Sequence, residues 1–188
     1  APSALPDPET WFDQRPVQVD RADVRTATIE HPDGETVRIV RNDDDGFELA
    51  DPPPGTRPVG PWQAGQVAGA LGFITVTDVR SAAALGFADA EPAAVTFVLE
   101  ADEENEADAE PTADPATLVA RVAEIDGTAW ATFEANGPGA DEVNAATAGW
   151  AYAIGTATRD ALLKRTDELV QPVEPPADDP AGPDVPAA

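Results

Sequence analysis

The chain has 188 residues, with 36 acidic against 11 basic side chains, a formal net charge of −25 and no cysteine. That length suits one domain, or one domain with an appendage. The charge repels nucleic acid and anionic lipid headgroups, which argues against a nucleic-acid partner, and the lack of cysteine removes disulfides, thiolate nucleophiles and zinc–thiolate sites.

Lys164 is the only lysine; the other basic residues are arginines. Excess Asp and Glu with almost no Lys fits a protein that must stay hydrated in high salt, and it equally fits an alanine- and arginine-rich genome bias. There is no methionine, so Ala1 is not an initiator and the chain reads as a processed mature protein or an excised fragment. No stretch approaches the roughly 20 apolar residues that a membrane span needs, and no signal peptide is present. Membrane association is therefore expected only through a segment absent from this chain.

Residues 1–20 read as an extended, proline-rich segment with Trp11 and Phe12 as aromatic anchors on a short helical turn. A domain follows over 21–171. Its first unit, 21–100, opens with strands at Val24–Glu30 and Thr36–Arg41 around His31-Pro32-Asp33-Gly34-Glu35. Pro fixes φ near −65°, Asp suits the next position and Gly supplies positive φ, so this stretch predicts a hairpin. Asn42-Asp43-Asp44-Asp45-Gly46 turns the chain into a third strand at 47–49. After a Pro/Gly loop, Pro61 is placed to start a helix, and Ala64, Val67, Ala68 and Leu71 share one helical face. Gly65, Gly69 and Gly72 weaken that helix, which must rely on tertiary packing. Strands are expected at 73–79 and 94–100.

Residues 100–115 hold eight acids and no base, which predicts a solvated acidic loop over 101–116. The second unit, 117–171, carries a hairpin of 117–125 and 128–135 around Asp126-Gly127, the pair favoured in a type I′ turn. Trp130 and Phe133 fall on opposite faces, so both sides of this hairpin are expected to be covered. A strand at 150–154 leads into a closing helix from Thr156, with Leu162, Leu163, Thr166, Leu169 and Val170 as its stripe and Pro172 as its stop. Residues 172–188 form a Pro/Asp-rich tail with almost nothing to bury.

The chemistry-bearing candidates are few. His31, the only histidine, opens a tight turn and reads as a solvated turn residue rather than a general base, which needs a pocket and a partner. Asp43-Asp44-Asp45-Gly46 fails the calcium-loop pattern: placing Gly46 sixth puts Arg41 first and Pro52 last. It reads as a capped acidic turn. Lys164 falls on a helix face. Trp11, Trp62, Trp130, Trp150 and Tyr152 could stack on sugars, but core packing is the commoner fate of aromatics beside strands and helices. Thus no catalytic, cofactor-binding or metal-binding residue is assigned, and no cofactor is expected.

The stretch "ATIEHPDGETVRIVRNDDDGFELAD" resembles the repeat opening of the domain of unknown function family 4340, in which a similar hairpin leads into a helix. "QVAGALGFITVTDVRSAA" is similar to the family's helix and following strand, and "WAYAIGTATRDALLKRTDEL" to its closing strand and helix. The resemblance covers about Trp11 to Val170 and brings no catalytic residues. It implies an extracytoplasmic body, anchored in the full-length protein and associated with ABC transporter subunits of the gliding-motility type. The expected fold is α+β, an antiparallel hairpin-built sheet with helices packed on one side. The expected function is a non-catalytic accessory or interaction domain of a membrane transport system, with a protein partner. The alternatives are a carbohydrate-binding or glycoside-hydrolase-like domain and a structural subunit of a surface assembly.

Overall fold

A computed structural model describes residues 15–100 and 115–173. The expected Trp11–Phe12 anchor, most of the acidic loop and the tail beyond Val173 lie outside the described residues. Among the described residues there are ten strands: β1 (Val24–Glu30), β2 (Thr36–Arg41), β3 (Phe47–Leu49), β4 (Thr56–Pro58), β5 (Val76–Ser81), β6 (Ala93–Leu99), β7 (Thr117–Ile125), β8 (Thr128–Asn136), β9 (Trp150–Ile154) and β10 (Val170–Pro172). The helices are α1 (Pro61–Ala68), α2 (Ala140–Thr147), α3 (Thr156–Leu162) and α4 (Thr166–Leu169). Eight strands form one antiparallel sheet in the order β3-β2-β1-β6-β7-β8-β9-β5, and β10 pairs with β4. This is the expected α+β fold.

Strand alternation decides the layers. Ala27, Ile29, Val37, Ile39, Val95, Phe97, Leu118, Ala120 and Phe133 point to one face and are buried. They join one core with Val67 and Leu71 after Pro61, Leu162 of α3 and Leu169 of α4. Val17 and Val19 belong to the same core, so the ordered packing starts before residue 21. Each Val, Ile, Leu and Phe among them contributes about 1.5–3 kcal/mol on burial.

Among the described residues the opposite face is covered at one end only. There the 3₁₀ turn Phe87–Ala90 packs with Trp130, Ala123, Ala151 and Ala153, and the Arg80 guanidinium lies 5.2 Å from the Trp130 ring centre. The expectation that both faces of the second hairpin are covered holds at that end.

Both turns take the expected backbone. Gly34 has φ 91°, and Asp126 and Gly127 have φ 52° and 75°. The acidic turn is held from within: Asn42 Oδ1 accepts from Asp44 N–H at 3.2 Å and Gly46 N–H at 2.9 Å.

Four expectations need correction. His31 is not solvated: it is 7% exposed, with Nε2 3.4 Å from the Lys164 carbonyl oxygen. The strand expected from Phe73 starts at Val76, and Phe73 is 91% exposed, because the chain is still turning out of α1 through Gly72. The closing helix is two helices with a break at 163–165. The break persists because distant groups satisfy its backbone: Glu35 Oε1 accepts from Thr166 N–H at 2.9 Å, while Glu168 reaches back to Arg165 N–H at 2.9 Å. Finally, Val170–Pro172 is a strand paired with Thr56–Pro58, not a helix end.

The sheet's unpaired stretches are managed by side chains. β9 pairs with β8 only at Trp130↔Ala153 and Ala131↔Tyr152. Beyond that point the Asn144 amide of α2 accepts from Ala135 N–H and donates to Ala135 C=O, both at 2.8 Å, acting as a one-residue strand. On the edge strand β5, Asp78 Oδ1 takes the Val79 N–H at 2.9 Å and pairs with Arg80, which blunts the edge against further pairing.

Candidate functional site

A cleft of about 660 Å³ lies between α1, α3 and the segment 18–21. Its floor is the glycine stripe of α1. A Cβ on Gly65 would stand 3.0 Å from Arg21 Nη2, and one on Gly72 would stand 3.2 Å from the Val19 carbonyl oxygen. The glycines that weaken the helix are thus what lets the 18–21 segment lie against it, and this contact supplies the tertiary packing α1 requires.

Arg21 is held in place from beneath. Asp20 caps the 3₁₀ turn Arg21–Asp23 by accepting from Ala22 N–H at 3.0 Å. Arg41 donates to the carbonyls of Arg21, Ala22 and Val24. The guanidinium carbons of Arg21 and Arg41 lie 5.2 and 5.6 Å from the Phe47 ring centre, a cation–π arrangement favourable to both.

The electrostatics of the cleft differ from those of the chain. Its two carboxylates are engaged: Asp20 in the cap, and Asp160 with Arg159 at 2.7 Å. Its two cations are nearly free of such partners. Among the described residues no carboxylate lies within ion-pair distance of Arg21, and Lys164 Nζ reaches Glu168 only at 4.0 Å. The Lys164 side chain is only 12% exposed. Phe73 lines the cleft and is almost fully exposed. The arrangement can therefore accept an apolar group against Phe73 and an acceptor-rich group, such as a carboxylate, at Arg21 and Lys164.

The four residues with the most chemical promise are scattered. His31 and Lys164 meet, but through the lysine's carbonyl rather than its ammonium. Asp43 and Asp45 stand exposed in the β2–β3 turn. Trp130 and Tyr152 are core residues at 3% and 5% exposure, whereas Trp62 and Trp150 are 59% and 47% exposed. Trp150 borders a separate notch of about 370 Å³ with Arg121 and Glu134.

A second cluster lies at the first hairpin. Arg165 pairs with Asp33 at 2.8 Å and also with Glu35. The Asp33 carboxyl is held below its ordinary range by the Glu35 backbone N–H and then by Arg165. That of Glu35 is held down chiefly by the Thr166 backbone N–H.

Sequence reasoning missed Arg21, Phe73 and the ionic cluster. Only the glycine spacing 65-69-72 signalled a close approach to α1. In comparison with known proteins, the chain matches no family model, no curated protein and no solved structure.

Proposed function

We propose that the chain is a non-catalytic, extracytoplasmic interaction module of a membrane transport system of the ABC type, which takes an extended segment of a partner protein in the α1–α3 cleft. The observation that carries the binding half is Phe73, 91% exposed at a cleft where, among the described residues, Arg21 has no carboxylate partner and Lys164 reaches one only at 4.0 Å. Burying a Phe side chain contributes about 1.5–3 kcal/mol, so a partner that covers Phe73 gains from the contact. A partner segment with an apolar side chain for Phe73 and a carboxylate for Arg21 and Lys164 fits the cleft. The transport setting rests on the resemblance of the three stretches quoted above, and the non-catalytic reading rests on the dispersal of His31, Asp43, Asp45 and Lys164.

A photo-crosslinking residue at position 73, in cells that naturally make the protein, should capture a transporter subunit, while the same residue at position 150 should not. A screen of esters, phosphoesters, glycosides and peptides should give no turnover above buffer. Turnover that disappears on mutating His31 or Lys164 overturns the reading.

The notch at Trp150 favours a second reading, carbohydrate binding, because an exposed indole beside a donor–acceptor pair suits a sugar ring. Titration with neutral oligosaccharides should then quench tryptophan fluorescence in the wild type and not in Trp150→Ala.

A further inference from the structure

The uncovered face of the sheet differs from the rest of this acid-coated chain. At its centre, on β1, β6 and β7, lie the outward residues Thr26, Thr28, Thr96, Val98, Thr117 and Val119, all half-buried. None is charged. Among the described residues no helix lies over them, and the 3₁₀ turn at Phe87–Ala90 covers only the neighbouring end.

The charges at the margins of this face follow a pattern. Register places Arg38 beside Thr28, Thr28 beside Thr96, Thr96 beside Val119, and Val119 beside Glu134. This row runs from a cation on β2 to an anion on β8 with Thr96 at its centre. In the next row Glu30 on β1 and Arg121 on β7 flank Ala94 of β6. Both rows are antisymmetric in charge about β6. A half-turn about a line along β6 brings Arg38 over the partner's Glu134 and Glu30 over the partner's Arg121. Within the chain Arg121 already pairs with Glu134 at 2.9 Å, and no ion pair forms at Arg38 or Glu30 among the described residues.

We propose that this bare sheet face is the contact surface of a homodimer whose two-fold axis runs along β6. The occupant is a second copy because an isologous contact requires a self-complementary patch, and this charge pattern is one. Stacking two such faces with near-parallel strands is the aligned packing that twisted sheets adopt. With strands about 4.8 Å apart and like-facing residues about 6.8 Å apart, five strands by three rows cover roughly 500 Å² per copy. Roughly 1,000 Å² in total lies at the low end of specific interfaces, so the dimer is weak and concentration-dependent. Repulsion between two strongly anionic copies opposes it in dilute buffer and is screened at molar salt.

The test uses the whole chain. Sedimentation equilibrium in about 1 M NaCl should show a monomer–dimer equilibrium with Kd on the order of 10–100 µM, tightening at least tenfold from about 0.1 M salt. Thr96→Glu sets a carboxylate against its own copy on the axis and should weaken the dimer at least tenfold with unchanged circular dichroism. Because the chain lacks cysteine, Thr96→Cys provides a unique thiol, which a short bismaleimide should join to its copy far faster than it joins Thr156→Cys on α3. A monomer at about 1 mM in molar salt, or equal cross-linking at 96 and 156, overturns the proposal. So does a dimer that Thr96→Glu leaves intact.

Discussion

The two hairpin turns carry comparably strong local signals and are used in opposite ways. The Asp126–Gly127 turn is exposed at its tip, and β7 and β8 run from it through nine consecutive pairs with no register shift. It is held by its own ladder. The 31–35 turn is a platform for a distant segment: His31 is buried near Lys164, Arg165 pairs with Asp33 and Glu35, and Glu35 caps α4. The turn shape is encoded locally in both; the load on the turn is not.

The comparison is tested most strongly at the glycines. Gly34→Val and Gly127→Val should each destabilise the domain by about 1–3 kcal/mol, because a β-branched residue resists positive φ. No atom crowds either site within 4 Å, so the cost is one of backbone conformation. Amide exchange should separate the two variants: Gly34→Val should deprotect 163–173 beyond the global effect, and Gly127→Val should not. Equal deprotection would show that the first turn does not hold the C-terminal segment.

His31→Ala follows, with an expected loss of about 1–2 kcal/mol in urea unfolding, since it removes a buried ring and the group facing the Lys164 carbonyl. An unchanged midpoint would mean that the ring is dispensable to the clasp.

Salt should act unequally on the two regions. The Debye length falls from about 10 Å at 0.1 M to about 3 Å at 1 M, relieving the repulsion within a chain of net charge −25 and raising the melting temperature. The same screening weakens Arg165 with Asp33 and Glu35, so protection of 163–173 should gain less than that of β7–β8. A flat or falling melting curve would favour genome bias as the origin of the composition.

The smallest effect is that of acid. Asp33 and Glu35 have folded pKa values below their ordinary 3.8 and 4.5. Their contribution is therefore complete above about pH 5 and is lost as pH falls through the lower folded values. Exchange between about pH 6 and pH 3, corrected for intrinsic rates, should show the 163–173 segment loosening before the β7–β8 ladder. Simultaneous loosening would remove the distinction between the turns.

This contrast also explains what could be read from the sequence. β1, β2, β3 and β9 carry alternation bounded by turn residues, and their limits follow from it. Three elements stayed hidden. The strands β4 and β10 are three residues each and exist only because they find each other. α2 was invisible because its sequence ADEVNAAT has one large apolar residue, Val143; its role lies in Asn144 and Thr147, whose polar atoms complete β8. The break between α3 and α4 was unreadable because the groups that stabilise it lie at Asp33 and Glu35. At the cleft, the glycine stripe could be read as a weakness of the helix, but not what lay against it.

The pairing of β10 with β4 sets how the molecule bears mechanical load. Tension entering through residue 173 meets first the bond from Val173 N–H to the Gly55 carbonyl, and the bond from Val59 N–H to the Leu169 carbonyl, both 2.9 Å, lies at the far end of the two strands. An antiparallel pair pulled from one end opens like a zipper, one bond at a time. A force applied at the C-terminal side would thus peel β10 before it reached Leu169 in the core and the contacts of Arg165 and Thr166 with the β1–β2 turn.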